Sequence, residues 1–228
     1  KIKAENPKTL LKCPIETGVT AALNKSKEQL VVTDLIAPFE LRANNSNQVV
    51  LLIHGLTDSP YLFHDLADFF YSKGLNVRTL LLPGHATAPE ALTDVEYEQW
   101  QQATHYAIAR TLQDYEQVYL GGFSTGGALI LDNLLSAEQS VDKLKGIMLW
   151  APASKAKSSV AWAAQYADWI PFLDYTNKGA DIDFAKYESF PLNAGAQVHS
   201  LMNELENKLS NTTSVPDVPL LTITTEVD

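Results

Sequence analysis

The chain alternates short apolar runs with segments in which apolar residues recur at helical spacing. Five apolar residues in a row at 49–53 are typical of a strand buried on both faces of a parallel sheet. The same kind of pattern predicts further strands at 76–82, 118–120 and 146–150, and a short exposed strand at 39–42. Helical spacing predicts helices at 61–73, 95–115, from Thr125 onward, and at 193–209; a further helix is expected around 18–24, in an N-terminal arm without a clear period. Strands that alternate with helices in this way predict an α/β fold, in which helices cover both faces of a parallel sheet.

A serine flanked by glycines stands where one of these strands meets a helix. Ser124 lies between Gly122 and Gly126, after the strand-like run 118–120 and before the small and apolar residues 127–131. A nucleophilic serine held at a tight strand-to-helix turn requires small neighbours two residues away on each side. We therefore interpret Ser124 as a catalytic nucleophile; the alternative is a glycine-rich packing turn with an uninvolved serine.

The stretch 54–60 follows the first buried strand directly. Gly55 allows the backbone to turn tightly, and the amide of Leu56 is then expected to face the serine. We assign the backbone N–H groups of Leu56 and Thr125 as the two donors that stabilise an oxyanion. His54 precedes them and is interpreted as a structural histidine rather than as an acid or base.

A second loop, 82–87, follows the next predicted strand and contains His85. This histidine either lines the pocket or braces the loop of Leu56, and bracing is the preferred interpretation. Because the carboxyl ends of parallel strands meet at one edge of a sheet, we count His54, Gly55 and His85 as candidate substrate-binding residues.

Taken together, these motifs resemble the α/β-hydrolase family, and within it the branch of monoacylglycerol lipases and bacterial carboxylesterases. The resemblance is carried by residues 54–57, 83–85, 122–127 and 219–228. It implies a mostly parallel central sheet with helices on both faces and a cap inserted over the site. The implied domains are a core at 1–152 with an N-terminal arm, a cap at 153–215 and a return to the core at 216–228. A serine rather than an aspartate at position 124 speaks against the dehalogenase and epoxide-hydrolase branches.

The resemblance also assigns the remaining catalytic groups. The position of the family's acid matches Asp228, with Glu226 as the less favoured substitute. The family's histidine follows the acid, and none of the five histidines of this sequence occupies that place. We therefore expect the histidine, together with a final strand and helix, to lie C-terminal to this segment or on a separate chain of the same protein. The segment alone is then expected to be inactive.

Two functions follow from this sequence. The first is a serine ester hydrolase that acts through an acyl-enzyme on Ser124. The second is a non-catalytic member of the family that binds a ligand without the histidine. Aromatic residues cluster between 162 and 190; they either line an apolar acyl pocket or pack the cap onto the core. The expected partner is a small-molecule ester with an apolar acyl group, and no metal or cofactor is expected.

Composition excludes several other classes. The 228 residues carry a formal charge of -10 and only 17 Lys and Arg residues, which argues against a nucleic-acid partner. The single cysteine, Cys13, excludes an internal disulfide and a multi-cysteine metal site. No apolar run reaches the 18 residues of a membrane span. The sequence leaves the compartment open between the cytoplasm and export after removal of a signal peptide.

Overall fold

A computed structural model describes residues 18–19, 30–136, 141–154, 175–177, 183–213 and 216–224. A six-stranded sheet forms the centre of the described structure, and a two-stranded sheet accompanies it. The strands of the central sheet are β1 (Glu40–Leu41), β2 (Gln48–Ile53), β3 (Asn76–Leu80), β4 (Gln117–Phe123), β5 (Leu144–Trp150) and β8 (Leu220–Ile223), and those of the small sheet are β6 (Tyr175–Asn177) and β7 (Phe190–Pro191).

The helices follow the strands in alternation, as the sequence pattern predicts. A 3-10 helix at Pro60–Phe63 precedes the second α-helix, and another at Pro89–Leu92 precedes the third. The α-helices are α1 (Val32–Ile36), α2 (His64–Ser72), α3 (Tyr97–Asp114), α4 (Thr125–Leu135) and α5 (Leu192–Asn211).

The central sheet has the strand order β1-β3-β2-β4-β5-β8. All neighbouring strands pair in parallel except β1, which is antiparallel to β3. Strands β2 and β4 are adjacent, with Ile53 opposite Gly122. Their carboxyl ends therefore lie side by side, and the segments that follow them, which contain His54 and Ser124, begin at the same edge of the sheet.

Strand β2 divides its side chains between two apolar clusters. Val49, Leu51 and Ile53 belong to a cluster that also contains residues of α3, α4 and α5. Val50 and Leu52 belong to a second cluster, which includes Ala67 of α2. Because successive side chains of a strand point to opposite faces, a strand covered on both sides must be apolar at every position. The sequence prediction of an α/β fold with helices on both faces is confirmed.

Several predicted elements differ from the observed ones in detail. The segment predicted as one helix at 61–73 is a 3-10 turn followed by α2. The helix predicted at 95–115 is α3, and its buried face consists of Trp100, Thr104, Ile108 and Thr111 rather than of apolar residues alone. The hydrophobic pattern does not predict this buried face because two of its residues are threonines. The burial of Thr111 is possible because its hydroxyl donates to the Ala107 carbonyl at 2.7 Å.

Parts of the predicted organisation fall outside the described residues. Of the helix predicted at 18–24, only Gly18 and Val19 are described, and both are helical. Of the cap predicted at 153–215, the described parts include the β6–β7 pair and α5. The proposed acid Asp228 and its substitute Glu226 lie outside the described residues, so their placement stays a prediction.

Candidate active site

Ser124 occupies the junction between β4 and α4 with a backbone conformation that is rare for a side-chain-bearing residue. Its φ is 51° and its ψ is -114°. The turn is held from the neighbouring strand: the Ser124 N–H donates to the Trp150 carbonyl at 2.9 Å, and its carbonyl accepts from Ala153 N–H at 3.0 Å. A strained conformation persists only where its surroundings determine it. The end of β5 provides that support here.

The two glycines around Ser124 are required by close backbone contacts. A Cβ on Gly122 would lie 2.6 Å from the backbone nitrogen of Gly127. A Cβ on Gly126 would overlap the carbonyl oxygen of Ile53, the last residue of β2. The spacing of the glycines thus reflects how tightly the first turn of α4 packs against the ends of β4 and β2.

The loop after β2 lies against this turn. A Cβ on Gly55 would lie 3.0 Å from the Phe123 ring and 3.3 Å from the Cβ of Ser124. The structure therefore brings the 54–56 stretch and Ser124 together, although about seventy residues separate them in the sequence. Ser124 and Leu56 are half-buried, and Thr125 is buried.

The backbone N–H groups of Leu56 and Thr125 donate no hydrogen bond within the described turns around them. Among the loop and cap hydrogen bonds of the described residues, neither of these two N–H groups has an acceptor. Thr125 is the first residue of α4, where backbone N–H groups have no partner inside the helix and favour negative charge. Two free donors next to a serine are suited to hold an anionic oxygen.

The ring of His54 is fully buried behind the loop and bonded at both nitrogens. Its Nε2 accepts from the Leu82 N–H at 3.1 Å, so Nδ1 carries the hydrogen and donates to the Gly55 carbonyl at 2.8 Å. Burial, with a smaller contribution from the neighbouring His85, lowers the pKa of His54 to about 3. His54 is therefore neutral, and its contacts are those of a structural histidine.

His85 is also buried, and its ring is surrounded by carbonyl oxygens. Nε2 lies 2.5 Å from the Leu56 carbonyl, and Nδ1 lies 3.0 Å from the Pro83 carbonyl. Burial lowers the pKa of His85, and the hydrogen bonds to the carbonyls oppose that shift. In the neutral ring one nitrogen carries the hydrogen, and the short contact assigns it to Nε2. These contacts brace the loop of Leu56 rather than presenting the ring to a substrate.

Asp58 places a carboxylate beside the same loop. One of its oxygens lies 2.6 Å from the position that a Cβ would occupy on Gly55. Burial raises the pKa of Asp58; the nearby Lys186 and the Gly55 backbone lower it, and Asp183 adds to the rise. The sequence pattern of the 54–60 stretch predicts no role for Asp58.

The remaining three histidines lie elsewhere. His64, at the start of α2, is buried against the rings of Phe39 and Tyr61. His105 of α3 lies 3.3 Å from the Asn133 side chain, and His199 of α5 lies 3.2 Å from the Asn203 side chain.

The described residues hold no group of three or more His, Cys, Asp or Glu side chains placed to bind a metal ion. In that same part of the chain, no helix has the length and hydrophobicity needed to cross a membrane.

Comparison with known proteins identifies the fold family. The family described as alpha/beta hydrolase fold matches residues 48–221. The chain belongs to this family. A thermostable monoacylglycerol lipase from Bacillus sp. (strain H-257) is 27% identical over 185 residues, which are 80% of this chain and 72% of that protein.

Solved structures of lipolytic enzymes share the α/β-hydrolase fold of this chain. A structure from the study of the metagenome-derived lipolytic enzymes LipS and LipT has a TM-score of 0.68 and 23% identity, and covers 82% of this chain and 75% of its own. The monoacylglycerol lipase of Paleococcus ferrophilus has a TM-score of 0.59 and 19% identity, with coverages of 82% and 76%. At these identities the likeness establishes the fold; the chemistry must be argued from the site.

The sequence pattern does not predict that Tyr187, one of the aromatic residues between 162 and 190, belongs to this site. In the structure its backbone N–H donates to the Thr57 carbonyl at 2.7 Å, and its hydroxyl donates to the Gly84 carbonyl at 3.1 Å. No local pattern signals a contact between residues more than a hundred positions apart.

Proposed function

We propose that this protein is a serine ester hydrolase that cleaves carboxylic esters through an acyl-enzyme on Ser124. The observation that carries the proposal is the placement of Ser124 at a strained strand-to-helix turn, beside two backbone N–H groups that have no acceptor among the loop and cap hydrogen bonds of the described residues. Membership in the α/β-hydrolase family and the similarity to a monoacylglycerol lipase support the same chemistry.

In the first half of the proposed reaction, the Ser124 oxygen attacks the ester carbonyl while a histidine accepts its proton. The amides of Leu56 and Thr125 stabilise the negative oxygen of the tetrahedral intermediate. The bond to the alcohol then breaks, and the histidine returns the proton to the departing alcohol. Water repeats these steps on the acyl-enzyme and releases the carboxylic acid.

The proposal places the proton-accepting histidine C-terminal to Asp228, which would orient it. The contacts of the five histidines in the sequence support this placement of the catalytic histidine. His54 and His85 are bonded to loop groups, His64 is buried in an aromatic cluster, and the other two lie beside asparagines of helices. We expect residues 1–228 alone to be inactive for this reason.

The proposed substrate is a neutral ester of small to medium size with an apolar acyl group, such as a monoacylglycerol. The half-buried Asp58 carboxylate beside Gly55 and the net charge of -10 disfavour anionic esters.

A serine-directed fluorophosphonate tests the proposal on the protein isolated from its natural source. We expect stoichiometric labelling of Ser124, identified by mass spectrometry, and ester hydrolysis that Ser124→Ala reduces by about 10⁴-fold or more. Ser72→Ala, a change on the exposed end of α2, is the matched control and should label normally. The intact mass, compared with the 25.1 kDa of this sequence, shows whether further residues are present.

The alternative function is ligand binding by a family member without catalysis. The specific observation in its favour is that every histidine in the sequence is engaged away from a general-base role. A folded protein whose mass is 25.1 kDa and whose Ser124 resists the phosphonate would refute the hydrolase and favour this alternative.

A further inference from the structure

Three consecutive carbonyl groups of the loop beside Ser124 are each bound by a different donor. The Gly55 carbonyl accepts from the His54 ring at 2.8 Å, the Leu56 carbonyl lies 2.5 Å from the His85 ring, and the Thr57 carbonyl accepts from the Tyr187 N–H at 2.7 Å. Because a peptide group is planar, fixing the Gly55 carbonyl also fixes the direction of the Leu56 N–H. The donors to the Gly55 carbonyl therefore fix the direction of the Leu56 amide, and the donors to the Leu56 and Thr57 carbonyls hold the two peptide groups that follow it.

Tyr187 differs from the two histidines because it comes from a distant segment. Its hydroxyl donates to the Gly84 carbonyl at 3.1 Å and accepts from the Thr87 N–H at 2.9 Å. Its ring stacks on the His85 ring, with centroids 6.2 Å apart and an interplanar angle of 18°. One residue thus links the loop of Leu56, the loop at 84–87 and the histidine between them.

The segment around Tyr187 contacts the same loop a second time. The Ser59 hydroxyl donates to the Ala185 carbonyl at 2.7 Å. The Ala185 N–H in turn donates to the Asp183 carboxylate at 2.8 Å. Residues 183–187, which lie within the predicted cap, are therefore bound to the loop of Leu56 at both Thr57 and Ser59.

The geometry points to Tyr187 as a positioning residue for the oxyanion hole. On the basis of the proposed function, it holds the Leu56 amide in the direction that the oxyanion needs. It also joins the loop of this amide to residues 183–187 of the predicted cap, so that displacement of those residues weakens the hole. Its role is indirect: its backbone N–H acts on the loop at 57 and its hydroxyl acts on the loop at 84–87, and neither acts on the substrate.

Tyr187→Phe tests this role, because it removes only the hydroxyl and keeps the ring and the backbone N–H. Loss of an oxyanion donor lowers kcat by about 10²–10³-fold, so a donor that is displaced rather than lost should lower kcat by about tenfold. KM should change by less than about twofold, since ground-state binding is not involved. The affinity for a trifluoromethyl ketone, which forms an anionic adduct with the serine, should fall by the same factor as kcat.

Tyr106→Phe is the matched control. Tyr106 lies on α3 and is 71% exposed, so its hydroxyl can be removed without affecting the loops. This variant should keep the wild-type kcat, KM and inhibitor affinity.

Hydrogen exchange provides a readout that does not depend on activity. In Tyr187→Phe the amides of Asp58 and Tyr187, which donate to the Gly55 and Thr57 carbonyls, should exchange faster, while those of β2 should not change. An unchanged kcat with unchanged exchange would overturn the inference, and so would a raised KM with unchanged kcat. If the wild-type protein neither hydrolyses esters nor binds the ketone, the proposed function fails, and the exchange comparison still decides whether Tyr187 holds the loop.

Discussion

His54 and His85 share one buried site behind the loop of Leu56, with ring centroids 4.8 Å apart. The His54 Nε2 must stay unprotonated to accept from the Leu82 N–H. Protonation would remove that acceptor and would place a cation in a region without solvent. Burial lowers the pKa of both histidines relative to the ordinary value of 6.5.

The fold should therefore lose stability in mild acid. Between pH 6.5 and the lowered pKa values the unfolded chain binds more protons than the folded one, so the free energy of unfolding falls as the pH falls. Each histidine contributes up to about 1.4 kcal/mol per pH unit in that window. Urea titrations from pH 7 to pH 4 measure this slope.

Two substitutions separate this effect from the titration of carboxylates. His85→Gln keeps a side-chain donor for the Leu56 carbonyl and removes a titrating group, so the slope should become shallower. His199→Gln leaves the buried pair intact and should keep the wild-type slope. Equal slopes in all three proteins would show that the buried pair does not control acid stability.

At the scale of elements, helices α4 and α5 are joined by a largely buried ion pair. The Lys208 ammonium lies 2.7 Å from the Asp132 carboxylate and also donates to the Ser136 hydroxyl at 2.9 Å. The second carboxylate oxygen of Asp132 accepts from the Gln101 amide of α3 at 2.9 Å. Three helices on one face of the sheet thus meet at one carboxylate, and α4 is the helix that begins directly after Ser124.

Removal of the cation should destabilise this face. Lys208→Met leaves the Asp132 carboxylate, with a side chain 6% exposed, without its countercharge. Because Lys208 itself is 25% exposed, solvent reduces the loss, and we expect about 2 kcal/mol in the free energy of unfolding. Chemical denaturation measures it.

Lys143→Met is the comparison for this prediction. Its pair with Glu116 is 3.1 Å long but lies at the surface, with side chains 36% and 67% exposed. Surface pairs contribute about 0–1 kcal/mol, so this loss should be clearly smaller. Similar losses of unfolding free energy in both variants would show that the buried pair at Asp132 contributes no more than a surface pair.

At the scale of the whole molecule, β8 is an edge strand of the central sheet among the described residues. This strand pairs with β5 on one side, and no strand of the described residues pairs with its other side. Leu220 and Leu221 are 56% and 54% exposed. Because adjacent residues of a strand point to opposite faces, both faces of β8 present apolar side chains to solvent.

A polypeptide of residues 1–228 by itself should therefore self-associate. Open strand edges with apolar side chains template pairing with other chains. Sedimentation velocity should show a mass that rises with protein concentration. The Leu221→Lys substitution should reduce this rise. A monomer at every concentration, in a protein with a cooperative melt, would contradict this expectation.

The sequence by itself determined the features that depend on local geometry. Five apolar residues at 49–53 predicted a strand buried on both faces, and the glycines at 122 and 126 predicted a tight turn at Ser124, because each follows from sterics within a few residues. The position of the 54–56 loop beside that turn also followed, since parallel strands bring their carboxyl ends to one edge.

Only the tertiary structure decided how distant side chains meet. The contacts of Tyr187 with the loops at 57 and 84–87 and the pairing of Lys208 with Asp132 join residues that are far apart in the sequence. Which face of α3 is buried, with Thr104 and Thr111 on it, is likewise decided by the helices packed against it. Such contacts depend on how whole elements pack. The local pattern of apolar and polar residues does not show which distant residue a side chain will contact.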